Sequence, residues 1–284
     1  MKIGVSGASG QFGRAAIEQL KQRVAAGDIV AISRTPDTAA GVEGRFGDYD
    51  DPASLASAYA GIDRLLLIPT TDLTPGARAR QTVGAVEAAA KAGVGHIVYL
   101  SSVGASDAAE PDVRASYFQT EQALMRSGAK WSVLRMAYYI ESFIQEAQQM
   151  LPMAMLTGLA DTPVNFVSRD DLAAAAAGLL ATDGHEGAIY QGTGAATFTG
   201  TQRAAAVSAA AGTPVNFVVL TEEQLAGGLA QAGLPEPVVN TVVSIQQGFA
   251  RGGFDIVSGD IARLSGRAPR RLEDALAQAF AKSG

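Results

Sequence analysis

The first residues of the chain that could do chemistry are three glycines, Gly7, Gly10 and Gly13, which follow an apolar strand and precede a helical pattern. Gly7 allows a tight turn with positive φ, Gly10 lets a phosphate approach the backbone, and Gly13 lets the helix pack against the strand. The free N–H groups and positive dipole end of that helix suit a pyrophosphate, although a ligand-free glycine turn is the alternative. We predict a dinucleotide site that comprises Gly7, Ala8, Ser9, Gly10, Gln11, Phe12 and Gly13.

The second strand ends in Ser33 and Arg34. NAD-binding folds place an acidic residue about 20 positions after the glycines, where its carboxylate holds the ribose 2′-hydroxyl. A guanidinium at this point suits a 2′-phosphate instead, and the alternative is a solvated loop arginine. The sequence therefore predicts NADPH as the cofactor, with NADH bound more weakly.

Polar residues also follow the later strands. Because the carboxyl ends of parallel strands meet at one edge of a sheet, these residues are expected to lie near the glycine turn. The carboxylates of 47–52 could contact an adenine or cap the helix that starts near Pro52, and both interpretations remain open. The residues predicted to bind cofactor here are Asp48, Pro69, Thr70 and Ser101, and Ser102 is predicted to contact substrate.

The elements that must position these residues alternate along the first half of the chain. Apolar runs predict strands at 29–33, 65–68, 96–100 and 131–135, and helical spacing predicts helices at 14–24, 77–92 and 117–126. Such alternation is typical of an α/β protein with a Rossmann-type, doubly wound parallel sheet. We predict that residues 1–135 form an NADP-binding Rossmann domain.

The pattern changes after this domain. Residues 138–143 are expected to begin a helix with aromatic faces, and Pro152, Gly158 and Pro163 break the helical pattern beyond it. Residues 136–284 are predicted to form a smaller, substrate-binding α/β lobe, of which 164–192 are expected to rejoin the first domain. Ser168 to Asp171 predict the cap of an alanine-rich helix.

Composition narrows the possible functions. The net charge of −6 argues against nucleic acid as a partner, since such binding needs clustered cations. The absence of cysteine and the presence of only two histidines predict no metal centre. The chain begins directly with a core strand and has no apolar run of 18 residues, so we expect no signal peptide, no membrane span and a cytoplasmic location. We also expect a monomer or homodimer.

The chain resembles the NmrA-like group of atypical short-chain dehydrogenases, especially type 2 quinone oxidoreductases and triphenylmethane reductases. The segments that carry this resemblance are Gly7–Gly13, Gly47-Asp48-Tyr49, His96-Ile97, Thr120-Glu121, Leu134-Arg135, Gly184-His185-Glu186 and Leu234-Pro235-Glu236-Pro237. The resemblance implies NADPH binding through the glycine turn and Arg34, and hydride transfer to a quinone or dye in a cleft between two lobes. It also implies that Tyr138 contacts the cofactor and that Tyr139 contacts the acceptor.

The chain departs from related patterns at two positions. Met136 replaces the asparagine that usually follows the Leu-Arg pair, and Tyr117 is followed by Glu121 where a Tyr-x-x-x-Lys pair has lysine. A neighbouring carboxylate disfavours proton donation by a tyrosine, so we predict that hydride transfer depends mainly on alignment. Tyr117 and Tyr139 remain catalytic candidates. The residues predicted to contact a small aromatic or quinoid substrate are Ser102, Tyr117, Met136 and Tyr139.

Three functions are compatible with these features. The first is an NADPH-dependent reductase of quinones or similar conjugated aromatic acceptors. The second is a non-catalytic redox sensor that binds the dinucleotide, which the missing Tyr-Lys pair would favour. The third is a tailoring reductase that acts on an aromatic polyketide in the same cleft.

Overall fold

A computed structural model describes residues 1–36, 41–109 and 112–281, which alternate between strands and helices. The strands are β1 (Ile3–Ser6), β2 (Ile29–Ser33), β3 (Glu43–Phe46), β4 (Arg64–Leu67), β5 (His96–Ser102), β6 (Lys130–Met136), β7 (Tyr138–Tyr139), β8 (Met155–Gly158), β9 (Val164–Val167), β10 (Ala188–Gly192), β11 (Thr197–Phe198) and β12 (Asn216–Val219). The α-helices are α1 (Gln11–Lys21), α2 (Pro52–Tyr59), α3 (Ala77–Lys91), α4 (Val113–Arg126), α5 (Ile140–Met150), α6 (Arg169–Ala181), α7 (Gly200–Ala211), α8 (Glu222–Gln231), α9 (Glu236–Ala250), α10 (Asp260–Ser265) and α11 (Leu272–Ala281).

The described residues build one large sheet of seven parallel strands in the order β3-β2-β1-β4-β5-β6-β10. Its central strands are continuous apolar runs because helices cover both faces. Helices α1, α6 and α10 pack on one face, and α2, α3 and α4 pack on the other. The strand order reverses between β1 and β4, which is where open parallel sheets bind ligands. The predicted Rossmann-type doubly wound α/β fold is confirmed.

Element boundaries differ from the predictions where tertiary contacts decide them. Helix α1 begins at Gln11 rather than at Arg14, so the helix starts directly at the glycine turn. The prediction that Tyr138 and Tyr139 begin a helix is wrong. These two residues form β7, which pairs with Phe166 and Val167 of β9, and α5 begins only at Ile140. Pairing with a distant strand overrides the helical spacing of the local sequence.

The remaining small sheets belong to the C-terminal part of the chain. One has the order β11-β9-β7 and the other pairs β12 with β8. They surround a core that includes Phe143, Phe166, Phe249 and Phe254. No helix among residues 1–36, 41–109 and 112–281 is long and apolar enough to cross a membrane.

Residues 168–192 leave this C-terminal part and lie against the large sheet. Ser168 caps α6 by accepting a hydrogen bond from the backbone N–H of Asp171 over 3.1 Å. Helix α6 then packs beside α1, where the Arg23 guanidinium donates to the carbonyl of Ala174. The chain returns as β10, which pairs in parallel with β6. The large sheet therefore includes chain from both halves of the sequence.

Candidate active site and cofactor cleft

Each glycine of the first turn has a distinct local environment. Gly7 has a backbone φ of +92°, which residues other than glycine rarely adopt. A Cβ at Gly13 would lie 2.3 Å from the carbonyl oxygen of Gly7, so only glycine lets α1 start this close to β1. A Cβ at Gly10 would meet only that same oxygen within 4 Å among the described residues, at 3.4 Å. Gly10 is therefore open toward the cleft.

The cleft is a cavity of about 630 Å³ at the carboxyl edge of the large sheet. Helix α1 begins at the wall of the cleft, with Gly10 as its N-cap. No side chain of the described residues caps this end, so the first backbone N–H groups of the helix are free to bind a ligand. Residues from both halves of the chain line it: Ser6, Gly7, Ser9, Gly10, Gln11, Phe12, Gly13, Ser33, Arg34, Gly47, Asp48, Tyr49, Asp50, Ile68, Pro69, Thr70, Thr71, Arg78, Gln81, Leu100, Tyr117, Met136, Tyr139 and Arg169.

One end of the cleft gathers the residues after β2 and β3. Arg34 is exposed, and the buried hydroxyl of Ser33 beside it has no hydrogen-bond partner among the described residues. Of the two interpretations of segment 47–52, helix capping is confirmed for Asp51. Asp51 caps α2 by accepting from the N–H groups of Ala53 and Ser54, whereas Asp48 lines the cleft.

Gln81 is a cleft residue that the sequence did not reveal. Its Nε2 donates to Asp50 over 2.7 Å and lies 3.5 Å from a carboxylate oxygen of Asp72. Both partners are acceptors, so the amide orientation is fixed and Oε1 must point elsewhere. That buried oxygen has no partner within the described parts of the chain.

The opposite end of the cleft pairs two tyrosines with two arginines. Arg78 donates from Nη1 to the hydroxyl oxygen of Tyr117 over 2.9 Å. The Arg169 guanidinium lies over the ring of Tyr139, 5.0 Å from its centroid. Burial raises the pKa of the Tyr139 hydroxyl well above its usual range. Met136 completes this end, which presents both aromatic surface and positive charge.

Neither arginine was among the predicted site residues, although the sequence contains a signal for each. Arg78 is the second residue of α3 and Arg169 is the first residue of α6. A cation in the first turn of a helix opposes the helix dipole, so its presence there calls for another explanation. In this fold both side chains line the cleft.

Four of the predicted site residues do not line the cleft. Ala8 is buried in the core beneath the turn. Ser101 is fully buried and donates to Glu121 over 2.5 Å, and Ser102 accepts a hydrogen bond from the N–H of Gly104. Tyr138 donates to Glu146 and packs edge-on against Phe249, with ring centroids 5.2 Å apart. Alternation along β7 explains the last case, since neighbouring residues of a strand point to opposite faces.

The structure also corrects the argument about Glu121. This carboxylate is 1% exposed and accepts two hydrogen bonds from Arg135, over 2.9 and 2.6 Å. Although Glu121 lies one helical turn after Tyr117, the group bonded to the tyrosine hydroxyl is the Arg78 guanidinium. A cation rather than an anion therefore adjoins the phenol oxygen.

Comparisons with known proteins identify the family of the chain. A profile of the NAD(P)H-binding family matches residues 7–183, which include the glycine turn, Arg34 and the tyrosine end of the cleft. The chain belongs to this family. Quinone oxidoreductase 2 of Escherichia coli is 34% identical over 98% of each chain. The NAD(P)H azoreductase of Xenophilus azovorans is 28% identical over 83% of this chain and 82% of its own.

Solved structures of similar proteins extend the comparison to nearly the whole chain. The NADPH complex of the quinone oxidoreductase from Escherichia coli has a TM-score of 0.90 and 32% identity, and the match covers 98% of this chain and 99% of that one. Triphenylmethane reductase of Citrobacter sp. with NADP(H) has a TM-score of 0.88 and 31% identity, over 98% of this chain and 100% of that one. The predicted resemblance to these two groups is confirmed.

The cleft fits the NAD(P)H expected of this family on grounds of its own residues. Gly10 leaves the space that a Cβ would occupy open beside the uncapped start of α1. The orphaned hydroxyl of Ser33 and the guanidinium of Arg34 offer hydrogen bonds at the end of β2. These are the groups that a pyrophosphate and a ribose phosphate require.

Proposed function

We propose that this protein is an NADPH-dependent reductase that transfers hydride to a quinone or a similar conjugated aromatic acceptor. One observation carries the proposal: the cavity that starts at the glycine turn continues to an end formed by Tyr117, Tyr139 and Met136. Flat aromatic and thioether surfaces suit a planar acceptor. Two of its relatives are a quinone oxidoreductase and an NAD(P)H azoreductase, which supports a conjugated acceptor.

Each part of the cleft has a task in this function. NADPH supplies the hydride when it is bound. The N–H groups at the start of α1 would bind its pyrophosphate, and Arg34 with Ser33 would hold the 2′-phosphate. Tyr139 and Met136 would position the acceptor, and binding both reactants in one cavity replaces a bimolecular encounter by a fixed geometry. We assign the cofactor mainly to residues 1–135 with 164–192, and the acceptor mainly to the lobe 136–284.

Steady-state oxidation of NADPH with a panel of quinones tests the proposed function. We expect turnover with at least one simple quinone and none without an acceptor. A dinucleotide sensor would bind NADPH, as calorimetry would show, but would reduce no member of the panel. That result would refute the reductase and favour the sensor.

Arg34→Ala should remove the preference for NADPH over NADH. The substitution deletes the cation beside Ser33, and a hydrogen bond to a charged group is worth about 1.5 to 3 kcal/mol. NADPH affinity, measured by calorimetry, should fall by that amount while NADH affinity stays the same. Arg126→Ala is the matched control, because Arg126 is exposed at the end of α4 and does not line the cleft. Equal affinity of the unmodified protein for both cofactors would contradict the assignment.

A further inference from the structure

The hydroxyl of Tyr117 is placed differently from every other tyrosine hydroxyl at the cleft. Tyr117 is 7% exposed and lines the cavity. The only hydrogen-bond partner of its hydroxyl within the described ranges is Arg78, which donates to the oxygen from Nη1. This bond uses a lone pair of the oxygen and leaves the O–H proton available for an acceptor in the cavity.

The helices that carry these two residues are held together directly beneath them. The hydroxyl of Thr82 lies 2.6 Å from that of Thr120, which joins α3 to α4. Thr82 lies 2.7 Å from the carbonyl oxygen of Arg78, and Thr120 follows Tyr117 by one turn. The contact between Thr82 and Thr120 therefore fixes the backbones that carry Arg78 and Tyr117 relative to each other, which is the preorganisation that a reacting pair needs.

Tyr139 lacks this arrangement. The Arg169 guanidinium lies over its ring instead of at its oxygen, and burial raises the pKa of its hydroxyl. A phenolate at Tyr139 would have no N–H donor at its oxygen among the described residues. A phenolate at Tyr117 would keep the hydrogen bond from Arg78, and the negative charge would strengthen that bond. Of these two tyrosines, only Tyr117 has a cation among the described residues positioned to stabilise its phenolate oxygen.

We propose that Tyr117 donates the proton that completes reduction of the acceptor, and that Arg78 is the positioning residue that stabilises the resulting phenolate. This inference rests on the proposed function. A hydride brings two electrons to the quinone and leaves an oxyanion. The O–H bond of Tyr117 then breaks, and a new O–H bond forms on the hydroquinone. Arg78 holds the phenolate until a proton from water restores it. The net reaction converts NADPH, a proton and a quinone into NADP⁺ and a hydroquinone.

A series of quinones with increasingly basic hydroquinone anions tests the proton transfer with Tyr117→Phe. A positioned acid contributes a factor of about 100 to 10,000. For the quinone with the most basic hydroquinone anion, we expect the substitution to lower the single-turnover rate by a factor in that range. The loss should be smaller for the most electron-poor quinone, whose hydroquinone anion depends less on a proton donor. Arg78→Met should follow the same graded order with a smaller loss, and Arg78→Lys should recover part of it. Tyr139→Phe is the matched tyrosine and should lose less than about tenfold throughout.

Binding of 4-nitrophenolate to the complex of the protein with NADP⁺ gives a readout independent of turnover. Its oxyanion would accept the Tyr117 proton as a hydrogen bond, so Tyr117→Phe should weaken binding by about 10- to 150-fold. NADP⁺ affinity should stay within about threefold, since no cofactor contact is assigned to this hydroxyl. Calorimetry measures both.

The outcomes separate this inference from the proposed function. An equal loss for every quinone would mean that Tyr117 has only a structural role and would overturn the proposal. Unchanged phenolate affinity in Tyr117→Phe would overturn it as well. If the unmodified protein reduced no quinone, the proposed function would fail, and the phenolate titration would still decide whether Tyr117 presents a proton to the cavity.

Discussion

Gly10→Val should abolish NADPH binding while leaving the fold intact. The valine side chain would grow into the cleft at the uncapped start of α1, because a Cβ there meets only the Gly7 carbonyl, at 3.4 Å. It would keep the pyrophosphate from the backbone N–H groups, and charged hydrogen bonds are worth about 1.5 to 3 kcal/mol each. Losing two or more of them should reduce affinity at least about 100-fold. Calorimetry measures the affinity, and circular dichroism checks the fold.

A neighbouring glycine provides the contrast for this experiment. Gly13→Ala places a Cβ 2.3 Å from the Gly7 carbonyl oxygen, so it should lower the free energy of unfolding by about 1 to 3 kcal/mol. Gly10→Val should change it by about 1 kcal/mol or less. If the Gly10 variant still bound NADPH as tightly as the unmodified protein, the turn would be purely structural and the cofactor assignment would be wrong.

Arg135→Met should be among the most destabilising single changes in the large sheet. It would leave the carboxylate of Glu121, 1% exposed, without its cation. Breaking a buried ion pair from one side costs about 3 to 5 kcal/mol. Thermal unfolding should shift down by roughly 6 to 20 °C, at about 2 to 4 °C for each kcal/mol in a chain of this size.

The partner substitution should cost less. Arg135 keeps 23% of its side chain exposed, so water can solvate its charge in Glu121→Gln. The double variant Arg135→Met with Glu121→Gln should recover much of the stability, because a neutral amide needs no counter-charge and can still accept the bond from Ser101. A double variant as unstable as Arg135→Met would contradict the ion-pair explanation.

The glycine turn and the sheet were predictable because local sequence determines them. Gly7 and Gly13 must be small for reasons that lie within a few residues, and the apolar runs of β2, β4 and β5 have the length and periodicity of buried parallel strands. The same local rules located the cap of α6, where Ser168 accepts the hydrogen bond of the Asp171 N–H as expected.

The tyrosine end of the cleft depends on contacts that no local pattern contains. Arg78 and Tyr117 come together because α3 packs against α4, and Tyr138 points away from the cleft because β7 pairs with β9. Glu121 misled the sequence argument for a similar reason, since its true partner, Arg135, lies on the next strand. Helix spacing shows which residues share an element, but not which side chains from other elements will face them.

Strand β10 completes the edge of the large sheet beside β6, although residues 137–187 separate these strands in the chain. Closing so long a loop costs entropy before the first hydrogen bond between the strands forms, and such distant contacts slow folding. During synthesis the ribosome releases the glycine turn well before β10 and α6. Until they arrive, the nascent chain exposes the apolar side of α1 that α6 later covers. We therefore expect the core around α1 to be completed only after α6 and β10 have been synthesised, and intermediates that expose apolar surface in this way are prone to aggregation.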